Sequence, residues 1–288
     1  MKTITSISDY FEWIHEIKKD KLINAFSCYR GQSDKDWKLT CSLQRRGMVG
    51  SESKLIKTLK AQYADEFPDT LSSFSLLAKA QHYGMPTRLI DFTLNPLVAL
   101  FFACNENTDK DGKVIAFVEK PASDPSKTID EVCSYWKNDI LSSITIYDSF
   151  DDEKNSYSHY YRITNLYLDK LFKIPDYISA RERNQQSVFL VCINEILDSE
   201  NNPLSLNAYF NHYVSKDHFP KMLKDYRYSQ TSIKEIDTQS NRFHTIEIKA
   251  EDKLKILDDL KLVGISKGFI FPELDKKIED LVDQIDRY

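Results

Sequence analysis

The chain has 288 residues, with 39 Lys and Arg against 44 Asp and Glu, a formal net charge of −5, and 41% hydrophobic and 12% aromatic residues. That is enough apolar material for a sizeable core, which excludes a disordered chain. The acidic balance gives no global attraction to nucleic acid, whose binding ordinarily shows as a basic face. Seven glycines are about a third of average usage, and the chain has no G-x-x-x-x-G-K-[ST] and no G-x-G-x-x-G, so P-loop and Rossmann readings lose their anchors. The five cysteines are scattered, without C-x-x-C, and the six histidines show no metal spacing. Free thiols in a reducing cytoplasm, and no metal, are therefore expected. The N-terminus lacks an apolar signal core and no run reaches the ~18 apolar residues of a membrane helix, so a cytoplasmic chain without membrane association is expected.

In chain order, Ile7, Tyr10, Phe11, Ile14 and Ile17 stand at helical spacing and predict a helix over 6–19, capped by Ser6 or Ser8. Ala25 to Tyr29 then reads as a strand that stops at a turn, leaving Arg30 at its end before Gly31. A polar loop follows, with Lys38, Arg45 and Arg46 as a basic cluster of solvated-surface character. Further helices are predicted over 52–67 and 72–83, the second closed by Gly84 and Pro86. Asn95 and Pro96 open a helix that is apolar on all sides and hence central. Strands are expected at 113–119, 187–193 and 243–248, an amphipathic helix at 250–263 and a terminal helix at 273–287. The stretch 121–175 is polar and gives no clear periodicity, and 195–242 reads as a polar insertion. The expected fold is a single α+β domain over 1–288. Its core is about 25–120 and 180–280, with a mixed or antiparallel sheet flanked by helices.

The densest chemistry lies between Gln81 and Thr93, where His82, Tyr83, Thr87, Arg88, Asp91 and Thr93 surround a Gly-x-Pro turn. A connection so rich in hydrogen-bonding side chains must either converge on a ligand or satisfy itself. Arg30 reads equally as a ligand-binding group or as a buried partner of a carboxylate such as Asp91. Arg88 and Asp91, three apart, read equally as site residues or as an ion pair holding the loop. His82, in the last turn of its helix, is a candidate acid or base, or a capping donor. Tyr83 suits stacking or packing, and Thr87 and Thr93 suit turn and cap positions as well as a site.

Tyr29-Arg30-Gly31, Ser42-Leu43-Gln44-Arg45 and the run from His82 to Pro96 together resemble the FRG domain, named for its [F/Y]-R-G signature. Arg181-x-x-x-Gln185-Gln186-Ser187-Val188-Phe189 and Phe271-Pro272-Glu273-Leu274 look like later pieces of the same family, so the resemblance spans roughly 25 to 280. Ser187 stands where that family commonly has glycine, and Phe92 where tryptophan is commoner. The aromatic-Arg-Gly opening is also similar to that of arginine-type ADP-ribosyltransferases. That likeness implies an ADP-ribosyltransferase-like fold with NAD as substrate. Arg30, flanked by Tyr29 and Gly31, would clamp phosphate; Tyr83, Thr87, Arg88 and Thr93 would line the nicotinamide or ribose; the Arg181–Gln186 segment would supply a late polar residue. No Glu-x-Glu or Gln-x-Glu precedes the 187–193 strand, so Glu182, Asp91 and Gln185 are the candidates to stabilise an oxocarbenium ion, with His82 beside them.

Three functions follow as expectations. The first is an NAD-using ADP-ribosyltransferase or NAD glycohydrolase, with toxin or anti-phage roles and a protein or nucleic-acid target. The second is a binding module for a nucleotide or phospho-ligand without turnover. The third is a nucleic-acid-binding or nuclease defence protein, which the acidic charge disfavours.

Overall fold

The computed structural model describes residues 2–19, 25–119, 129–130, 133, 171–177, 179–197, 200–202, 227–236, 238–274 and 277–278. The fold is α+β, built on a mixed seven-stranded sheet. Its strands are β1 (Thr3–Ile4), β2 (Phe26–Gln32), β3 (Leu89–Thr93), β4 (Gly112–Glu119), β5 (Leu171–Lys173), β6 (Ser187–Val191) and β9 (Phe243–Ile248), in the order β1-β9-β4-β2-β3-β6-β5. Only β1 against β9 is parallel. A separate antiparallel pair joins β7 (Asn194–Leu197) to β8 (Arg227–Ile233).

Local chemistry fixes the helix ends. Ser6 caps α1 (Ile7–Lys18) by accepting from Asp9 N. Ser72 caps α4 (Ser73–His82) in the same way from Ser75 N, and Gly84 ends it at φ +88°, where a side chain would be strained. Asn95 accepts from Leu97 N at 3.0 Å and Pro96 opens α5 (Pro96–Cys104). The other helices among the described residues are α2 (Ser42–Arg45), α3 (Glu52–Gln62), α6 (Ala180–Gln185), α7 (Lys253–Leu262) and α8 (Lys267–Ile270).

Strand alternation divides the core. Cys28, Ile115 and Phe117 of β2 and β4 pack with Ile90, Phe92, Val188 and Leu190 on one side of the sheet. On the other side, α1, α5 and α7 cover Tyr29, Val114, Ala116, Ile246 and Ile248. Helices α3 and α4 cover Leu89, Phe189 and Val191 of that same side. The Tyr29–Thr93 pairing puts both sets on one face, so two helical packs share it and leave a gap between them.

Several expectations shift. The first strand does not stop at Arg30: β2 runs on to Gln32, because Gly31 lies under α5 and not in a turn. A Cβ at Gly31 would stand 1.9 Å from the Ala99 carbonyl oxygen, and one at Gly112 would stand 2.3 Å from that of Ala103. Glycine at these two positions lets the α5 backbone rest directly on β2 and β4. The polar loop is shorter than its run of side chains suggested, since Leu89–Thr93 is a central strand. The helix expected to Phe67 ends at Gln62. The expected insertion at 195–242 opens in β7 and contains its antiparallel partner β8, which ends at Ile233, and its residues 203–226 lie outside the described residues. So do most of the stretch 121–175 and most of the expected terminal helix at 273–287. Among the described residues no helix is long and apolar enough to cross a membrane.

Candidate functional site

The gap between the two helical packs is a cavity of about 320 Å³. Its floor is the sheet face carrying Tyr29, Gly31, Asp91, Thr93 and Ser187, with Arg30 beside them. Gln81 and His82 of α4 form one wall, Val98 and Phe102 of α5 another, and Arg181, Glu182 and Gln185 of α6 a third.

The floor contains an anomaly that the sequence signals only in part. Strand β3 is buried at Leu89, Ile90, Phe92 and Thr93, yet its middle residue, Asp91, has a side chain that is 64% exposed. A carboxylate in a central strand is costly unless it faces water or a ligand. Here the missing helical cover supplies that opening. Gln81 Nε2 donates to Asp91 Oδ1 at 2.7 Å, and Gln81 Oε1 in turn accepts from Thr87 Oγ1. Leu89 N donates to Thr87 Oγ1 at 3.1 Å, so the relay is anchored on the backbone of β3 itself.

Arg30 lies where β2 and β3 part. The two strands share one paired position, Tyr29 with Thr93, whereas β2 pairs with β4 at seven, from Phe26 to Gln32. Beyond the single pair, Arg30 Nη1 donates to the Asp91 carbonyl oxygen at 2.5 Å and stands 3.9 Å from its carboxylate. The guanidinium thus replaces ladder bonds across the opening. Burial pulls the Arg30 pKa down; the nearby Asp91 carboxylate opposes that, and Arg45 adds to it. Arg30 Nε and Tyr29 Oη are buried without a hydrogen-bond partner. Buried polar atoms left open are uncommon, and both of these residues line the cavity.

The α6 wall is stiffened by its own cap. Ser179 accepts from Glu182 N at 3.1 Å and Glu182 Oε2 accepts from Ser179 N at 3.2 Å, a reciprocal capping box. Gln186 then takes a left-handed conformation, which turns the chain into β6. The Arg181–Gln186 segment is therefore helical up to Gln185 and not the start of a strand, so Glu182 and Gln185 reach the cavity from one helix face. Gln185 Nε2 donates to Ile270 O at 3.2 Å and Thr93 Oγ1 donates to Gln185 O, tying α6 to α8 and to β3. Arg181 is stacked over the Phe271 ring, its guanidinium carbon 4.8 Å from the centroid.

Of the expected site residues, the fold brings together Tyr29, Arg30, Gly31, His82, Asp91, Thr93, Glu182 and Gln185. Three stand elsewhere. Arg88 is 1% exposed and turned away, its guanidinium bound to both oxygens of Glu52, to Cys192 O and to Asn194 Oδ1. It pairs with Glu52 and not with Asp91, because strand alternation sends residues 88 and 91 to different surroundings. Thr87 is fully buried and acts on the site only through Gln81. Tyr83 is 69% exposed, outside the cavity lining, with its ring against His82 at 5.2 Å. Gln81 was missed as a site residue, although it opens the dense polar run. Arg45 and Arg46 are exposed, as the solvated-surface reading expects, and they also line an adjoining smaller cavity, whereas Lys38 pairs with Glu235 at 3.8 Å. Among the described residues no group of three or more His, Cys, Asp or Glu is arranged to hold a metal ion.

Fold and cavity define an α+β protein with a polar cleft set into the face of a mixed sheet, floored by a carboxylate and an arginine. Residues 26–112 match the FRG domain. The match runs from the start of β2 to the first residue of β4 and so covers Arg30, Gln81, His82 and Asp91. The pieces at Arg181–Phe189 and Phe271–Leu274 lie outside the matched residues. No curated protein and no solved structure is significantly similar to the chain.

Proposed function

We propose that the cleft binds NAD and cleaves its nicotinamide–ribose bond, as an ADP-ribosyltransferase or NAD glycohydrolase. The observation that carries this reading is the exposed Asp91 carboxylate in the middle of a buried strand. It is aimed by Gln81 and stands 3.9 Å from an arginine whose Nε lacks a partner. In this reading Arg30 takes a diphosphate oxygen, using the open Nε in a charge-assisted hydrogen bond. Asp91 stabilises the oxocarbenium ion as the C1′–N bond breaks and its electron pair neutralises the departing nicotinamide. A water, or a hydroxyl or amine of an acceptor, then attacks C1′. Its proton passes to His82 and on to solvent, so water gives ADP-ribose, nicotinamide and one proton.

The test is nicotinamide release from NAD by the purified protein, with labelled NAD and a lysate to reveal transfer. Asp91→Asn and Arg30→Ala run beside the wild type, with melting temperatures recorded. Release by the wild type that falls at least about a hundredfold in Asp91→Asn, with the fold retained, supports the reading. Undiminished release in Asp91→Asn removes that residue's role.

A second reading is binding without turnover. It draws on Glu182, which is 5% exposed and already engaged in the α6 capping box, so that Asp91 is the freer carboxylate at the cleft. Binding of NAD or ADP-ribose with no nicotinamide released over long incubation selects it.

A further inference from the structure

The larger cleft is joined on one side by a second cavity of about 180 Å³, and the two share Arg30, Gln81 and Asp91 as a common wall. The second cavity is lined by Arg45 and Arg46 at the end of α2 and by the Gly84–Pro86 turn. Three guanidiniums therefore meet one carboxylate there, in a chain whose net charge is −5. That carboxylate, Asp91, is already engaged by Gln81.

The arginines are short of partners. Arg45 Nη1 donates to its own loop at Thr40 O, and neither Arg45 nor Arg46 forms an ion pair with any described residue. The Arg46 side chain makes no hydrogen bond to a described residue. Arg45 is close enough to Arg30 to oppose its charge. Arg45 and Arg46 are exposed, so solvent screens them, and a concave surface lined by one sign of charge raises the local concentration of anions. Placement follows from the fold. Ser42 Oγ accepts from Thr87 N at 3.0 Å and Leu43 N donates to Thr87 O at 3.0 Å. These bonds pin α2 to the turn before β3 and hold its arginines against the end of that strand.

We infer that this second cavity is an anion subsite in which Arg30, Arg45 and Arg46 bind a phosphate group of the nucleotide that occupies the larger cleft. The inference rests on the proposed nucleotide reading and adds a consequence. The ligand is bisected by Arg30, with its ribose end over Asp91 and a phosphate-bearing end beside Arg45 and Arg46. Nucleosides that lack phosphate fill only the first part, so selection for the phosphorylated form comes from α2.

The test is a calorimetric titration of the full chain with three probes: inorganic pyrophosphate, ADP-ribose and adenosine. Each is run on wild type, Arg46→Gln and Arg45→Gln/Arg46→Gln. Arg46 bonds to no described residue through its side chain, so its replacement leaves folding intact. Pyrophosphate and ADP-ribose bind the wild type. They bind the double variant at least about tenfold more weakly, the scale of one charge-assisted hydrogen bond. The loss shrinks as salt is raised, and adenosine is indifferent to the substitutions. Equal affinity of pyrophosphate and ADP-ribose for wild type and double variant, or no binding of either to the wild type, overturns the subsite. Nicotinamide release is measured separately on the same proteins. Its absence with anion binding retained removes the catalytic reading alone, and its presence with unchanged anion affinity removes the subsite alone.

Discussion

Gln81 and Asp91 are joined by a 2.7 Å hydrogen bond that crosses from the last turn of α4 to the centre of β3. The glutamine amide cannot rotate freely, since its oxygen accepts from the buried Thr87 hydroxyl. Asp91 is thus an exposed carboxylate whose direction is set by a neighbour that is itself held in place. Replacing Gln81 by Met keeps the volume and removes the aim. Nicotinamide release by Gln81→Met falls about tenfold or more, mainly in kcat, with a melting temperature close to that of the wild type. A full kcat in this variant would show that Asp91 needs no positioning. Thr87→Val reports on the same relay one step back and lowers kcat in the same direction.

Arg88 was expected near the ligand and is instead part of the frame. Its guanidinium and the Glu52 carboxylate are 1% and 4% exposed, and the arginine also bonds Cys192 O and Asn194 Oδ1. Breaking one half of such a pair leaves a buried charge unpaired, at a cost of about 3–5 kcal/mol. Arg88→Met therefore loses that much stability by urea unfolding. Glu52→Leu combined with Arg88→Met regains a large part of it, because neither charge remains. If Arg88→Met costs under about 1 kcal/mol, the pair is not the buried clamp described.

Gly31 gives a second stability prediction, one that also reaches the cleft. Its missing side chain admits the Ala99 carbonyl of α5, and a methyl group there would stand 1.9 Å from that oxygen. Gly31→Ala must push α5 outward, and overpacking of this kind costs about 1–3 kcal/mol or more. Val98 and Phe102 travel with α5 and form a wall of the cavity, so ligand affinity falls with stability. Gly47→Ala is a poor control, since Gly47 has φ +65°. Measuring both unfolding and NAD affinity in Gly31→Ala tests the coupling, and loss of stability with unchanged affinity would break it.

The sequence made much of this legible, for physical reasons that differ by element. Asn95-Pro96 and Gly84-Met85-Pro86 determine helix ends through local backbone chemistry, so α5 and the end of α4 follow from a few residues. The strand at Phe243–Ile248 shows through its alternation. The polar run from Gln81 to Thr93 marks the cleft, but its internal division does not show in composition. Whether Arg88 or Asp91 faces the cavity depends on where β3 begins, and that is set by pairing with Ser187–Val191 nearly a hundred residues later. Gly31 resembles a turn glycine because close approach by a helix leaves no local mark. Glu52 as the partner of Arg88, and Arg45 and Arg46 as neighbours of Arg30, are long-range results of packing that no spacing rule carries.

The last prediction concerns acid stability and lies away from the cleft. Asp111 ties the start of β4 to two distant segments. Its Oδ2 accepts from Lys249 Nζ at 2.9 Å and Lys35 Nζ at 3.1 Å, and its Oδ1 from Ala250 N at 3.0 Å. These donors, led by Lys249, hold the Asp111 pKa well below the ordinary carboxylate range. A folded-state pKa below the unfolded value of about 3.9 means that the unfolded chain takes up the proton first. The stabilisation is therefore complete above about pH 4 and is lost as the pH falls through the folded value. Asp111→Asn removes the charge at every pH. It melts below the wild type at neutral pH, and the gap closes as the pH drops from about 4 towards about 2. Melting curves of both proteins across that range decide the matter: a gap that stays constant with pH means that the Asp111 charge contributes nothing to the fold.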